Sequence, residues 1–519
     1  AELLKNNGRR VLIENTDWRK MLALQAFCEE RGNTPAYKAW VCQTRPLCQL
    51  SSLRQVLALD ALARQAEAPR PAPVTPRPQP AAAAEPEVAP PVGAAPTAGP
   101  LLLGVTRGVT AAPVTIDPEE LKQHATFLGA PGSGKTTAAL TLIEQLLARG
   151  IPVVMLDRKG DLCRYADPSA WERPLADPRD AARRQRLRER LDVAVFTPGH
   201  ADGRPLSIPI VPDGMESLST LEREQLAGYA AAALGGMMGY KPRGADQSRQ
   251  AILAKAIEVL GTTPGAAVTL LALRELVADQ DPTLLSAVGG FDDRVYKKLA
   301  DELLTLWHGR KSLLAGEADR LDIDALLGRH GQAPPGKTRL SVISTQFLGD
   351  AATVEFWVAQ LLLAIDRWKA KNATPRLQAV FLFDEADLYL PAQRQPATKA
   401  PMEGLLKRAR AAGVGLMLAT QSPGDFDYKC RDNIRTWLVG RVKETTALNK
   451  LKPMFTEARV DVASKLPAQG TGQFHLVREK EARPVQAAPS LIVTEQLPEE
   501  RILELARMTR ESHPAGQSR

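Results

Sequence analysis

Short apolar runs bounded by polar residues recur along the chain from about Leu101 onward. Most of them are apolar at consecutive positions rather than at alternate ones, which is typical of parallel strands buried on both faces. Helical patterns separate several of these runs, so the sequence predicts an α/β fold with a doubly wound, mostly parallel sheet. The strand candidates are HATFLGA, IPVVMLD, LDVAVFTPG, TRLSVIST, LQAVFLFDEAD, VGLMLATQ, TWLVGRV and GQFHLV.

Between residues 207 and about 336 the pattern changes to helical spacing throughout. We therefore expect a helical subdomain inserted into a sheet domain that spans residues 101–489. The last residues, 490–519, are predicted to form a C-terminal helix and a flexible tail. The segments that predict the inserted helices are LEREQLAGYAAAALGGMM, SRQAILAKAIEVLG, TLLALRELVAD and DRVYKKLADELLTLWHG.

The part of the chain before the sheet domain has a different composition. Proline and alanine dominate residues 66–100, where large apolar residues are almost absent, so this segment cannot offset the entropy of folding. We expect it to be a disordered linker. Residues 1–65 contain two amphipathic patterns and are predicted to form a small helical module. Its role stays open between docking of a partner and the end of a larger domain.

The composition is that of an ordinary globular protein, with 44% hydrophobic and 24% charged residues among 519. No apolar run reaches the length of about 18 residues that a membrane span requires, and no basic and apolar leader is found. The five cysteines have no zinc-site spacing, which favours reduced thiols. We therefore expect a chain that does not insert into a membrane and works in the cytoplasm.

The formal net charge of +8 favours a polyanionic partner. Part of the excess lies in RDAARRQRLRER, residues 179–190, where five arginines crowd a predicted helix between positions 183 and 190. Such a run forms either a solvated helix face or a surface that follows a phosphate backbone, and the sequence leaves both interpretations open.

The first chemical motif is a G-x-x-x-x-G-K-[ST] match that lies between an apolar run and a helical pattern, in ATFLGAPGSGKTTAALTLIEQLLARG. In that context the glycines let successive N–H groups point at phosphate oxygens. Lys135 then reaches the β- and γ-phosphates, and the Thr136 hydroxyl binds Mg²⁺. The motif predicts a P-loop NTPase with a RecA-like core, and ATP and Mg²⁺ as its ligands. The predicted nucleotide-binding residues are Gly129, Ala130, Pro131, Gly132, Ser133, Gly134, Lys135, Thr136 and Thr137.

A second motif, AVFLFDEADLYL, ends a buried strand with two carboxylates. Beside a P-loop, Asp384 is predicted to hold Mg²⁺, and Glu385 is predicted to be the base that orients the attacking water. The alternative for this pair is a helix N-cap with a solvated neighbour. A third run, VGLMLATQ, delivers Gln421 at its carboxyl end, where the side chain would report hydrolysis through a hydrogen bond to the water or to the γ-phosphate.

Basic residues precede that third strand, at Lys407, Arg408 and Arg410. One arginine presented to the nucleotide of a neighbouring subunit would stabilise charge that develops on the γ-phosphate, as an arginine finger does. A solvated basic helix end is the alternative.

These motifs, in this order, resemble the HerA/FtsK superfamily of ring-forming, DNA-pumping ATPases, nearest the HerA-type central domain. The resemblance covers roughly residues 101–489. The segments that carry it are HATFLGAPGSGKT, VVMLDRKGDL, VAVFTPGHADGRPLSIPI, FLFDEADLYLP and ARAAGVGLMLATQSP.

The resemblance assigns further residues. It implies that Arg410, three positions before Gly413, is the finger. It also implies that Asp157 and Lys159 end a strand that neighbours the P-loop, although a charged turn at a strand end is the commoner explanation of such residues. Arg478 is a second candidate for contacting nucleotide.

The function implied by the resemblance is an Mg-ATP-dependent motor that assembles as a hexameric ring and translocates double-stranded DNA. Such a motor would serve a partner nuclease in DNA processing or in defence against foreign DNA. The catalytic residues would be Lys135, Glu385, Gln421 and Arg410. A conjugation- or secretion-type motor that moves DNA or protein is an alternative. A non-catalytic, ATP-sensing scaffold is a further alternative, and it conflicts with the presence of Lys135 and Glu385.

Overall fold

The computed structural model describes residues 99–512, with gaps at 108–110, 212–213, 242, 264–265, 267, 315–318, 458–461 and 479–480. These residues belong to Ala89–Arg519, one of the two units into which the chain divides. The predicted helical module, nearly all of the predicted linker and the predicted tail after residue 512 lie outside the described residues.

One sheet of 11 strands organises the described part of the chain, in the order β2-β1-β13-β12-β11-β3-β10-β9-β4-β8-β5. Two further strands, β6 and β7, pair only with each other. The strands are β1 (Leu101–Thr106), β2 (Pro113–Ile116), β3 (Ala125–Leu128), β4 (Val153–Asp157), β5 (Leu191–Phe196), β6 (Leu206–Ser207), β7 (Asp319–Arg320), β8 (Thr338–Ser344), β9 (Ala379–Phe383), β10 (Val414–Thr420), β11 (Thr436–Val439), β12 (Gln473–Arg478) and β13 (Glu481–Ala487).

Helices connect the parallel strands and cover both faces of the sheet. Their bounds are α1 (Lys135–Leu147), α2 (Pro168–Glu172), α3 (Pro178–Arg190), α4 (Thr220–Met237), α5 (Gly244–Thr262), α6 (Leu270–Ala278), α7 (Pro282–Val288), α8 (Asp293–Leu314), α9 (Ile323–Leu326), α10 (Ala351–Lys371), α11 (Lys399–Arg408), α12 (Thr445–Glu457) and α13 (Glu499–Glu511).

The strands from β11 to β5 run parallel to their neighbours. Strand β4 shows why the prediction of such strands from continuous apolar runs is correct. Its residues alternate between two buried clusters: Val153 and Met155 pack with α1, and Val154 and Leu156 pack with α10 and the inserted helices. A strand covered on both faces needs an apolar side chain at every position. The predicted doubly wound, mostly parallel sheet is confirmed.

The remaining strands form an antiparallel extension that the sequence analysis missed in part. Strand β12 pairs antiparallel with β11 and with β13, which in turn pairs with β1. The prediction included β12 but omitted β1, β2 and β13. Strand β13 has the sequence EARPVQA, which lacks a continuous apolar run, and its burial is limited to Val485. Such a polar segment gives no clear strand signal, although β13 lies between β1 and β12 in the sheet.

The segment from Thr220 to Leu326 is helical, as predicted, and contains α4 to α9 together with strand β7. Helix α4 begins with a capping box, in which Ser219 and Glu222 satisfy each other's backbone N–H groups. The inserted helices pack on the sheet face that α10 covers. At the other end of the chain, α13 packs against β5, where Val195 donates a backbone hydrogen bond of 3.1 Å to the Thr509 hydroxyl.

The turn before β10 depends on a glycine. Gly413 has a φ of +69°, and a Cβ added there would lie 2.0 Å from the Arg376 carbonyl oxygen. Its own carbonyl accepts a hydrogen bond of 2.8 Å from Gln378 N, just before β9. This glycine therefore fixes how β10 enters the sheet beside β9.

We expect Gly413→Ala to lower the free energy of unfolding by about 2 kcal/mol or more, because both the backbone conformation and the space exclude a side chain. The matched control is Gly228→Ala in α4, where an added Cβ meets nothing within 4 Å. That change should raise the free energy of unfolding by about 0.5–1 kcal/mol. Denaturant melts measure both; a harmless Gly413→Ala would contradict the prediction.

Candidate nucleotide-binding site

The carboxyl ends of four parallel strands meet at one edge of the sheet. Strand β10 lies between β3 and β9, with Thr420 beside Leu128 and Leu418 beside Phe383. Strand β4 follows β9 on its other side. Because the four strands end together, the loop after β3, the carboxylates after β9, the amide after β10 and the charged turn after β4 converge. The expectation that β4 is next to the P-loop strand β3 is wrong, because β10 and β9 lie between these two strands.

The loop after β3 has the geometry of an anion cradle. Gly132 and Gly134 have φ values of +73° and +87°, and a Cβ on Gly134 would lie 3.0 Å from Gly472 N. Ser133 N donates to the Ala130 carbonyl at 3.1 Å, which closes the turn. The N–H groups of Gly132, Gly134 and Lys135 have no acceptor among the described residues, so these donors are available to phosphate oxygens.

Two neighbouring segments fix this loop, and the sequence analysis did not identify either as part of the site. Arg441, which follows β11, accepts from Ala130 N at 2.8 Å and donates from Nη2 to the Pro131 carbonyl at 3.0 Å. On the other side, Gly472 N donates to the Ser133 carbonyl at 2.9 Å. The Thr471 hydroxyl donates to the Gly132 carbonyl at 2.9 Å. Only the strand order, in which β11 lies beside β3 and β12 beside β11, reveals these contacts.

Lys135 begins α1 and lies buried at the centre of the site, with 5% of its surface exposed. Burial lowers its pKa, and Asp384 partly offsets this effect. Thr136 and Thr137 follow on the first turn of the helix and are partly exposed. The arrangement places one ammonium group and the free N–H groups of the loop at a single cradle.

Asp384 is 1% exposed and follows β9 directly. Its Oδ1 atom has no hydrogen-bond partner, and its Oδ2 atom lies 3.9 Å from Lys159 Nζ. Burial raises the pKa of Asp384 to about 6, against the opposing effects of Lys135 and Lys159. A buried carboxylate oxygen without a hydrogen-bond partner is suited to bind a cation. The residues therefore fit Mg²⁺, which Asp384 and Thr136 would hold and which would neutralise charge on the phosphates.

Glu385 is held in an unusual conformation by two cations. Its φ of 53° is one of four positive values among the described non-glycine residues. Arg158 Nε lies 3.2 Å from its Oε2, and Lys159 Nζ lies 2.9 Å from its Oε1. A left-handed backbone at a bulky residue costs about 1–3 kcal/mol and is concentrated at functional sites. The two ion pairs place the carboxylate beside the charged turn after β4.

Gln421 follows β10 and joins the two lysines. The orientation of its amide that satisfies its neighbours places the oxygen toward Lys135 Nζ, at 3.2 Å, and toward Lys159 Nζ. The preceding residue is fixed as well: the Thr420 hydroxyl donates to Asp387 Oδ1 at 2.5 Å and accepts from Ser422 N at 3.0 Å. These hydrogen bonds connect Thr420, which precedes the sensor candidate, to the segment that follows Asp384 and Glu385.

The charged turn after β4 has two different roles. The Asp157 carboxylate is fully buried and accepts the backbone N–H groups of Lys159, Gly160, Leu162 and Cys163 at 2.8–3.1 Å. Asp157 therefore shapes the turn. The Lys159 side chain instead reaches into the nucleotide-binding site.

The finger candidate lies at the opposite edge of the sheet. Arg410 precedes the seven residues of β10 and Gln421 follows them, which separates the two by roughly 23 Å along the strand. Arg478 lies at the same edge as Arg410, because it pairs with Thr436 at the start of β11. Its Nη2 atom donates to the Thr115 carbonyl at 2.9 Å. Neither arginine meets the P-loop of its own chain.

The sheet topology and this site define a P-loop ATPase. The comparisons with known proteins agree with that class and make it more specific. Residues 103–225 match the family model described as "Helicase HerA, central domain". Over those residues, this match confirms the predicted resemblance to HerA-type P-loop ATPases. No curated protein matches the chain in sequence.

Two solved structures are similar to this chain at low sequence identity, and the first of them shows the same fold. The structure of VirB4 of Thermoanaerobacter pseudethanolicus is 15% identical with a TM-score of 0.51, and the match covers 77% of this chain and 98% of that one. The plasmid coupling protein TrwB in complex with ADP and Mg²⁺ is 14% identical with a TM-score of 0.49, over 78% of this chain and 98% of that one. At such low sequence identity, the similarity is evidence about the fold alone.

Among the described residues, the helices are too short or too polar to span a membrane.

We expect Lys135→Ala to lose most of its nucleotide affinity, because the cradle loses the buried ammonium group that reaches the phosphates. Glu385→Gln should bind ATP about as tightly as the unmodified chain but hydrolyse it at least about a hundredfold more slowly, since only water activation is lost. Titration with a fluorescent ATP analogue and steady-state phosphate release separate the two effects. An equal loss of affinity in both variants would contradict the role of Glu385.

Proposed function

We propose that this chain is an Mg-ATP-dependent motor that assembles as a hexameric ring and translocates double-stranded DNA. The observation that carries the proposal is the position of Arg410. The chain holds a P-loop, a carboxylate pair and a sensor amide at one edge of its sheet, and an exposed arginine at the other edge. In a ring, each subunit would present the edge that carries Arg410 to the nucleotide-binding edge of the next subunit. Every site would then contain an arginine finger.

The chemistry at each site uses the residues at the carboxyl edge. Lys135 and the loop N–H groups bind the phosphates of ATP, and Asp384 with Thr136 holds Mg²⁺. A water molecule attacks the γ-phosphorus, the bond to the β-phosphate oxygen breaks, and Glu385 takes the water's proton. Gln421 lies within hydrogen-bond distance of Lys135 Nζ, so it can sense whether the γ-phosphate is present.

The surroundings of Arg410 support a site for a neighbouring subunit. Arg410 lines a cleft of about 400 Å³ at the amino edge of the sheet, together with Lys407, Arg431 and Arg435. The Arg410 side chain is exposed and has no ion pair with the described residues. By contrast, Arg408 lies 3.1 Å from Asp366. A cationic cleft of this kind suits the phosphates of a nucleotide bound by another copy of the chain.

Double-stranded DNA as the substrate is supported by the match to the helicase HerA central domain and by the net charge of +8. The partner nuclease is a prediction from the family resemblance alone. Work in the cytoplasm is a prediction from the composition and the cysteine pattern. Transfer of DNA or protein in conjugation or secretion remains the alternative role for the same motor.

The direct test is the ATPase rate with and without linear duplex DNA, together with the mass of the assembly. We expect DNA to stimulate hydrolysis several-fold, because a translocase couples its cycle to its track, and the mass to correspond to six subunits in the presence of nucleotide. Stimulation should fall steeply with salt as phosphate contacts are screened. A monomer whose ATPase rate ignores DNA would overturn the proposal.

Arg410→Ala tests the ring. A finger that acts in trans leaves the nucleotide of its own subunit untouched and stabilises the transition state in the next subunit. We expect this variant to bind ATP almost normally and to lose hydrolysis by at least about a hundredfold. A mixture with Lys135→Ala should regain part of the activity, because that subunit still offers its arginine to an intact P-loop.

Arg408→Ala is the matched control for this experiment. It removes an arginine from the same turn, but one that pairs with Asp366 within its own chain, so hydrolysis should change little. If the mixed assembly forms but stays inactive, Arg410 is not a finger in trans.

A further inference from the structure

A lysine outside the three sequence motifs occupies the centre of the site. Lys159 Nζ lies 2.9 Å from Glu385 Oε1 and 3.9 Å from Asp384 Oδ2, and the Gln421 amide oxygen accepts from it. These three groups are the predicted base, the predicted metal ligand and the predicted sensor. Lys159 thus contacts all three side chains to which the sequence motifs assign a part in hydrolysis.

The side chain of Lys159 is not needed to build the turn that presents it. That turn is wound on the buried Asp157 carboxylate, which uses only backbone N–H groups, including that of Lys159. The Lys159 side chain is 35% exposed. A flexible ammonium group on a rigid turn can exchange partners without moving the backbone.

We propose that Lys159 is a second phosphate-binding cation, which can exchange its contact with Glu385 for one with the γ-phosphate of a bound nucleoside triphosphate. This inference rests on the proposed ATPase function and adds a determinant that distinguishes a triphosphate from a diphosphate. Two lysines that converge on one amide oxygen leave both ammonium groups with unused donors. A phosphate group between them would accept hydrogen bonds from both.

The exchange also explains why Glu385 is paired in this structure. Its Oε1 contacts Lys159 and its Oε2 contacts Arg158, so both oxygens of the carboxylate already have a partner. Departure of Lys159 to the γ-phosphate frees one oxygen for the attacking water. Like lysine side chains in general, Lys159 carries a positive charge at neutral pH.

The test compares the affinities of the full chain for ADP and for the non-hydrolysable imido analogue of ATP, both with Mg²⁺, by calorimetric titration. Lys159→Gln should weaken the triphosphate by about tenfold, the scale of one charge-assisted contact, and leave ADP within about twofold. Lys135→Gln should weaken both. Lys159→Arg, which keeps the charge, should restore much of the preference for the triphosphate.

Arg158→Gln is the matched control, because Arg158 also contacts Glu385 but has no contact with Asp384 or Gln421 among the described residues. The ratio of the two affinities should not change in this variant. Thermal melts verify that each protein is folded, and Lys159→Met supplies a second neutral variant should the first one fail to fold.

The outcomes distinguish failure of the proposed role of Lys159 from failure of the proposed ATPase function. An equal loss for ADP and the triphosphate analogue, or no loss for either, overturns the role of Lys159 while the ATPase assignment stands. A ratio that changes as much in Arg158→Gln as in Lys159→Gln also overturns it, since the effect would then act through Glu385. If the unmodified chain binds neither nucleotide, the proposed function itself fails.

Discussion

The site depends on the burial of parallel strands from both sides. In β4, β9 and β10 every residue is buried, so no charge can be accommodated within the strands without a partner. Charged and polar groups therefore gather where the strands end, and parallel register brings four such ends to one edge. For this reason the carboxylates after β9 lie close to Gln421 and Lys159, although long stretches of sequence separate these three segments. The same constraint leaves Arg410, which precedes a strand, at the other edge.

The P-loop is held by more than its own sequence. Arg441 contacts it from one side, and residues 471–472 contact it from the other. Arg441 lies in the loop after β11, and residues 471–472 lie just before the antiparallel strand β12. The C-terminal segment adds a further tie, because Leu491 N donates to the buried Glu144 carboxylate of α1 at 2.9 Å. Burial raises the pKa of Glu144 to about 7. Movements of the last strands and of the P-loop helix are therefore mechanically linked.

The sequence predicts the parallel sheet, its helical insertion and the order of the motifs, because double burial and phosphate binding both leave strong local patterns. It does not predict β13 or the contacts of Arg441 and Thr471, since these depend on which strands become neighbours. The turn after β4 shows the limit clearly. Asp157 and Lys159 lie two residues apart in one motif, but their roles differ. The Asp157 carboxylate accepts hydrogen bonds from backbone N–H groups, whereas the Lys159 side chain enters the site. Strand order and burial decide between such roles, and neither can be read from spacing.

The separation of the two edges has a mechanical consequence for a ring. A nucleotide bound at the carboxyl edge of one subunit would contact the amino edge of the next, where Arg410 stands at the start of β10. That strand ends at Gln421, which contacts Lys135 and Lys159. One buried strand thus joins Arg410, at the edge proposed to face a neighbouring subunit, to the amide of Gln421. Because close-packed strands shift as units rather than deform, displacement of β10 at one edge would alter Gln421 at the other, and sites around the ring would hydrolyse in sequence rather than independently.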